Sequence, residues 1–184
     1  RGLGDVYKRQ IDIVPLNGIG DPRLKVLSGD ISNAAELETL IDERTDSVFH
    51  LAAVVSGQAE QDFDLGMKIN VDAARQIMER LRALPQCVRL VTTSSVAVFG
   101  GQLPDKVADN QVWMPQSSYG TQKAMNDLLL SDYSRKGFLD GRSLRMPTIV
   151  VRPGKPNAAA SSFASGIIRE PLNGEAANLS LIHI

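Results

Sequence analysis

Two short stretches decide how this chain is read: Val88-Arg-Leu-Val-Thr-Thr-Ser-Ser-Val-Ala-Val-Phe-Gly100, and Tyr119-Gly-Thr-Gln-Lys123, whose tyrosine follows Ser95 by 24 residues. The first is an apolar run ending in hydroxyl side chains, the pattern of a buried strand that runs into a turn. A serine hydroxyl at such a strand end can hydrogen-bond a substrate oxygen. In the second, Tyr119 and Lys123 are four apart, so on a helix they share one face and point toward one place. Free tyrosine titrates near 10, too high for a base at neutral pH, but a neighbouring ammonium favours the phenolate. Taken singly, each stretch has a plain reading: a serine-rich turn, and an exposed helix pair. Together at the ends of strands they define a proton-transfer site.

Working outward, apolar patterns alternate between strand and helix periods. Ile11–Val14 and Leu24–Leu27 read as short strands. Asn33-Ala-Ala-Glu36 has capping-box form and opens a helix with a stripe of Leu37, Leu40 and Ile41. Ser47–Ala53 is a third strand running into small residues. Residues 66–84 carry Met67, Val71, Ala74, Ile77, Met78 and Leu81 at helical spacing. Val88–Thr93 is the fourth strand, a loop follows through Pro115, residues 119–135 form a second long helix, and Arg142–Met146 begins a fifth strand. Strands alternating with helices at this spacing predict a parallel sheet covered on both faces. Ligands of such sheets bind beyond the carboxyl ends of the strands, where the serine and the tyrosine–lysine pair fall.

The two ends of the chain read differently. One permitted set of codons for Asp5-Val-Tyr-Lys-Arg-Gln10, reverse-complemented, translates to Leu179-Ser-Leu-Ile-His-Ile184 without a mismatch. The pair resembles one sequencing-adapter element read in opposite orientations. Residues 1–10 and 179–184 are therefore set aside as adapter-like, leaving 11–178 as the protein proper. On this reading the domain is cut at both ends. Gly18-Ile-Gly-Asp21 does not follow the first strand of a strand–helix–strand unit and is read as a turn.

Lys and Arg number 20 against 21 Asp and Glu, for a formal net charge of −1, which leaves no basic footprint for nucleic acid. No apolar run is long enough for a membrane span. Cys87 is the sole cysteine, which excludes an internal disulfide and fits a reducing, cytoplasmic setting. No His/Cys cluster has metal-ligand spacing, so no metal is expected.

These motifs, in this order, resemble the extended short-chain dehydrogenase/reductase family, which includes nucleotide-sugar epimerases and dehydratases. The resemblance covers most of 11–178 and implies a Rossmann-like, doubly wound α/β fold with a parallel sheet, here truncated at both ends. It implies NAD as cofactor and Ser95, Tyr119 and Lys123 as the catalytic serine, tyrosine and lysine. Phe49-His-Leu-Ala-Ala53 matches the strand end at which Leu51, Ala52 and Ala53 wall the cofactor; His50 is read as part of that strand end without a chemical role. Gly29-Asp30-Ile31 matches the adenine contact, although Asp30 also suits a turn cap. Asn70, in Ile69-Asn70-Val71, matches a residue that helps hold an active-site water, although a polar residue near a helix start reads the same way. Pro147 and Thr148 fall where the family chain passes the nicotinamide. Asp12, at the end of the first strand, would accept hydrogen bonds from the adenosine ribose and repel a 2′-phosphate, favouring NAD over NADP. The glycine-rich loop and first strand of the family are expected to precede residue 11, and most of its small C-terminal domain to be missing.

Within the family, Val54–Glu60, Val96–Gly101, Pro115–Lys123 and Pro147–Phe163 are most similar to a branch of NAD-dependent sugar-acid dehydrogenases that oxidise the C2 hydroxyl of D-erythronate or a similar aldonate. The nucleotide-sugar enzymes carry Asn-x-Tyr-Gly-Pro where this chain has Thr148-Ile-Val-Val-Arg-Pro153. The substrate carboxylate needs a cation, and Arg152 is the candidate, a position that equally suits an exposed loop arginine. Ser56, with Ser95, Tyr119 and Arg152, completes the expected substrate-binding set, and Ser162 is a further candidate for the pocket. Two other readings stand beside this one: a nucleotide-sugar 4-epimerase or dehydratase on the same scaffold, and a non-catalytic dinucleotide-binding regulator, against which retention of all three catalytic residues speaks. The family commonly pairs its two long helices in a homodimer.

Overall fold

The computed structural model describes residues 7–14, 16, 20–148, 159 and 161–177. Among the described residues, five strands and six α-helices follow in the order β1 (Lys8–Asp12), β2 (Leu24–Ser28), α1 (Ala34–Leu40), β3 (Ser47–His50), α2 (Ser56–Gln61), α3 (Phe63–Gly66), α4 (Ala73–Arg82), β4 (Arg89–Ser95), α5 (Ser118–Arg135), β5 (Asp140–Met146) and α6 (Ser162–Leu172). Every ladder is parallel. β1 pairs with β2 from Lys8↔Leu24 to Asp12↔Ser28. β4 lies between β3 and β5, with His50 beside Thr92 and Ser95 beside Met146. The α/β architecture with a parallel, Rossmann-like sheet is therefore as the alternation of patterns requires. The ladders form two sheets, β1–β2 and β3–β4–β5, rather than one continuous sheet.

The core lies between the larger sheet and the helices on one face. Leu37 and Ile41 from the α1 end meet Ile77, Met78 and Leu81 of α4, Leu130 of α5, and Val88, Leu90 and Leu139 from the strands. Alternation along the strands decides which residues enter it: in β4, Leu90, Thr92 and Ser94 are buried while their neighbours are not. The opposite face carries Phe49, Leu144 and Met146 at 68%, 53% and 41% exposure. Strands that are apolar on both faces are those of a sheet built for cover on both. The helices packed against the core cover one face.

Several local readings are adjusted by the structure. β1 runs from Lys8 to Asp12, so residues 8–10, set aside in the sequence reading, occupy strand positions, while Ile13 and Val14 lie beyond the strand and are exposed. A parallel ladder is bonded through the main chain, which leaves side-chain identity at Lys8–Gln10 little say in pairing. Arg9 also makes a two-point ion pair with Asp42, at 2.9 and 3.0 Å. At the α1 N-terminus Asn33 caps the Ala35 N–H at 3.1 Å, and Glu36 accepts from the Asn33 side-chain amide at 3.0 Å and from the Asp30 N–H at 2.8 Å rather than from the Asn33 main chain. The helix expected over 66–84 is three segments: α3, a π-helical stretch over Met67–Asp72, and α4. The wider π turn places Asn70 and Val71 inward together. α2 was not anticipated. Among the described residues, no helix is long and apolar enough to cross a membrane, and no group of His, Cys, Asp or Glu is arranged to hold a metal ion.

Candidate active site

The site is assembled at the carboxyl ends of β3, β4 and β5 and the N-terminus of α5. Ser95 is the last residue of β4, and its Oγ accepts the Ala97 N–H at 3.1 Å, capping the short 3₁₀ turn Val96–Val98. α5 is capped by the Ser117 hydroxyl, which accepts the Gly120 N–H at 3.1 Å, and by Glu60, whose carboxylate accepts the Ser118 N–H at 2.9 Å. These caps fix the first helical turn and with it Tyr119. Close approach is built in here: a Cβ on Gly120 would collide with the Ala97 carbonyl oxygen, so glycine is what lets α5 lie against the turn after Ser95.

Lys123, one turn beyond Tyr119, is only 7% exposed. Its Nζ donates to the Thr93 carbonyl at 2.7 Å and stands 5.6 Å from the Tyr119 ring centroid. Burial lowers the Lys123 pKa, and the Asp127 carboxylate raises it. Burial pushes the Tyr119 phenol above its ordinary value, with the Ser95 hydroxyl acting in the opposite sense. His50, at the end of β3, is held down to about 4 by burial and then by the Lys123 charge, so it is neutral at physiological pH.

The other residues singled out from sequence fall as follows. Asp12 ends β1 with its side chain exposed and its Oδ1 accepting the Val14 N–H at 2.9 Å. Asp30 follows β2, accepts the Ser32 N–H at 2.8 Å and lies 3.8 Å from Lys68; its pKa is lowered, chiefly by the Ser32 bond. Ile31 is buried behind it. Leu51 and Ala52 are exposed just after β3, and Ala53 is half-buried. Pro147 and Thr148 are exposed after β5, and Ser56 opens α2. Ser162 opens α6. Arg152 lies outside the described residues.

Asn70 is 2% exposed, and its side chain is spent inside the protein. Its Oδ1 accepts the Val54 N–H at 2.8 Å, while its Nδ2 donates to the Val54 carbonyl at 3.1 Å and to Gln122 Oε1 at 2.7 Å. Its own carbonyl accepts from Asn126 Nδ2 at 2.5 Å. Asn70 thus pins the segment that leaves β3.

Sequence reasoning missed Asp127 and its surroundings. The Asp127 carboxylate accepts from Ser94 Oγ at 2.8 Å and Ser143 Oγ at 2.5 Å, and pairs with Arg145 Nε at 3.4 Å. Arg145 in turn stacks on Trp113 at 4.2 Å and Phe99 at 5.6 Å. A signal was available, because Tyr119, Lys123 and Asp127 continue one four-residue spacing along α5.

A dinucleotide fits part of this arrangement. Asp12 offers an exposed carboxylate for ribose hydroxyls, Ala52 and Ala53 offer small side chains beside an accessible main chain, and Tyr119 and Lys123 offer donors at the far end. No glycine-rich turn between a strand and a helix N-terminus occurs among the described residues, so nothing in them cradles the diphosphate.

Parallel strands, a strand-end serine and a helix-borne tyrosine–lysine pair are those of a dinucleotide-dependent enzyme, and the chain belongs to the NAD dependent epimerase/dehydratase family, whose sequence profile matches residues 8–183. It is 64% identical over 168 residues to D-erythronate dehydrogenase of Cupriavidus necator, covering 91% of this chain and 52% of that protein. It is 53% identical over 166 residues to D-erythronate dehydrogenase of Haemophilus influenzae, covering 90% and 53%. The crystal structure of the nucleoside-diphosphate-sugar epimerase from Agrobacterium tumefaciens matches with a TM-score of 0.85 at 47% identity, over 94% of this chain and 52% of that one. The chain spans about half the length of the curated relatives it matches.

Proposed function

We propose that this chain carries the catalytic part of an NAD-dependent sugar-acid dehydrogenase that oxidises the C2 hydroxyl of D-erythronate, or a similar aldonate, to the 2-oxo acid. The observation that carries the reading is the grouping of Ser95, Tyr119 and Lys123 at one strand-end site, in a chain 64% identical to a D-erythronate dehydrogenase. Tyr119 accepts the hydroxyl proton, Ser95 holds the substrate oxygen, and the Lys123 ammonium favours the phenolate and binds the nicotinamide ribose. NAD, when bound, would supply the hydride acceptor, and its oxidised nicotinamide would carry a positive charge that favours the Tyr119 phenolate before transfer. Asp12, Asp30, Ile31, Leu51, Ala52, Ala53, Pro147 and Thr148 line the cofactor, and Ser56 and Arg152 meet the sugar acid. Asn70 completes the catalytic set by helping to hold an active-site water, and it also fixes the Val54 main chain.

A second reading, a nucleotide-sugar epimerase or dehydratase, is favoured by the 47% identity to the Agrobacterium tumefaciens epimerase structure. It would use the same three residues on a bulkier substrate. Assay of the uninterrupted gene product for NADH formation with four- to six-carbon sugar acids, and separately for nucleotide-sugar interconversion, decides between them. Turnover of D-erythronate supports the leading reading; interconversion of a nucleotide sugar with no acid oxidised overturns it.

The full enzyme is also read as a homodimer through its long helices, supported by Met125 and Leu128, which stand exposed on α5. Sedimentation of the uninterrupted gene product as a monomer would refute this.

A further inference from the structure

Behind the tyrosine–lysine pair lies a second layer of charge on three elements. Asp127 sits one turn beyond Lys123 on the same face of α5 and is 7% exposed. Its two oxygens are occupied from β4 by Ser94, the neighbour of Ser95, and from β5 by Ser143 and Arg145. Arg145 stands over the rings of Phe99 and Trp113, both from the segment that leads from β4 to α5. Burying a carboxylate costs its water shell, and the bonds from Ser94, Ser143 and Arg145 offset that cost and keep Asp127 charged. Its place on α5 puts that charge one helical turn from the buried Lys123.

We infer that Asp127 is the positioning residue of the catalytic lysine: held by Ser94, Ser143 and Arg145, it keeps the buried Lys123 ammonium charged and aimed between the Thr93 carbonyl and the Tyr119 ring. The inference rests on the reading of Tyr119 and Lys123 as the proton-transfer pair. Burial lowers the Lys123 pKa, and the Asp127 carboxylate is the group that opposes it, so removing that charge leaves burial unopposed. The more weakly Lys123 holds its proton, the less it favours the Tyr119 phenolate. The Arg145 guanidinium works the other way, drawing on the same carboxylate and so moderating its pull on Lys123. The contact of Arg145 with Phe99 and Trp113 therefore ties the segment before α5 to the charge state of the lysine.

The groups facing Lys123 are few. On α5 they are Tyr119 and Asp127, on β3 the neutral His50, and on β5 Arg145 through Asp127. β4 presents the uncharged Thr93 carbonyl and the Ser94 hydroxyl. Glu60 of α2 is engaged at the N-terminus of α5, and Lys68 of the π-helical stretch is engaged with Asp30.

The test is the titration midpoint of Lys123 in this chain, read by NMR of lysine labelled at Cε and assigned by loss of the signal in Lys123→Met. Asp127→Asn keeps the shape and most hydrogen bonding but removes the charge, and should lower the midpoint by about one unit or more. Arg145→Met should raise it. Opposite signs are the discriminating result, because loosened packing would not reverse direction between two members of one cluster. An unmoved midpoint in Asp127→Asn, or a midpoint that fails to rise in Arg145→Met, overturns the inference. If Asp127→Asn does not fold, the Arg145→Met direction alone decides. No substrate enters the measurement, so a protein that oxidises no sugar acid still passes or fails on Lys123.

Discussion

The Lys123 ammonium stands 5.6 Å from the centroid of the Tyr119 ring, four residues earlier on the same helix, while its Nζ is tethered to the Thr93 carbonyl at the end of β4. This pairing fixes how the site should respond to pH. Burial holds the Tyr119 phenol protonated above its ordinary range. Since alcohol oxidation consumes the phenolate, the oxidative rate should rise as pH increases from 7 toward 9, and the reductive rate should fall. Tyr119→Phe removes the proton acceptor and should lower kcat by a factor of about 10² or more while leaving NAD affinity within a few-fold. Dinucleotide binding measured by fluorescence checks the second half. Retained turnover in Tyr119→Phe would reject the assignment.

His50 supplies a pH dependence of stability. Its folded pKa, about 4, lies below the model-peptide value of 6.5. Below 6.5 the unfolded chain binds the proton first, so stability is full above 6.5 and is lost as pH falls toward 4. Between pH 7 and pH 5 the loss should be at most about 2 kcal/mol. Chemical denaturation at the two pH values should show this loss in the parent and much less of it in His50→Gln. An equal loss in both proteins would remove His50 as the cause.

The fold and the reacting pair were legible because both depend on short-range periodicity. Alternation in 88–95 marks β4, and the four-residue step from Tyr119 to Lys123 marks a helix face, so the site follows once the sheet is known to be parallel. The π-helical turn at Met67–Asp72 left no such mark, since one extra residue per turn changes no composition. Asn70 shows the consequence. Its place in the sequence was evident, but its partners, Val54 and Gln122, lie 16 and 52 residues away and are brought to it by that turn. Arg145 was hidden for a related reason: its partner Asp127 is on another element, and only the packing of α5 on β5 joins them. The extent of β1 was misjudged because main-chain ladders do not consult the side chains of Lys8–Gln10.

Asn70→Ala should therefore act first on folding. It strands the Val54 N–H and carbonyl and deprives Gln122 of a donor, all in a buried setting. The expected cost is about 2–5 kcal/mol. Asn70→Asp retains an acceptor for the Val54 N–H but loses both donated bonds and sets a buried carboxylate against the Val54 carbonyl and Gln122 Oε1, so it should cost at least as much as Asn70→Ala. Urea denaturation of the three proteins gives the ranking. A loss of activity in Asn70→Ala with unchanged stability would leave the residue only its direct role in the chemistry.

Gly120 tests whether the approach of α5 to β4 matters as such. A methyl group there meets the Ala97 carbonyl oxygen, a main-chain atom that moves only if the turn after Ser95 or the start of α5 moves with it. Alanine is the better helix former by about 1 kcal/mol, so propensity alone predicts a more stable Gly120→Ala. The collision should outweigh this, giving a net loss of about 1–3 kcal/mol. Because Tyr119 precedes the glycine and Ser95 lies across the contact, turnover should fall well beyond what stability explains, with NAD affinity affected less. Gly137→Ala is a control for glycine replacement elsewhere: its Cβ meets nothing, but its positive φ of 75° makes alanine strained there for backbone reasons alone. It should cost stability without lowering turnover of the folded fraction. Equal stability loss with equal turnover in the two variants would show that the Ala97 contact does not set the Ser95–Tyr119 geometry.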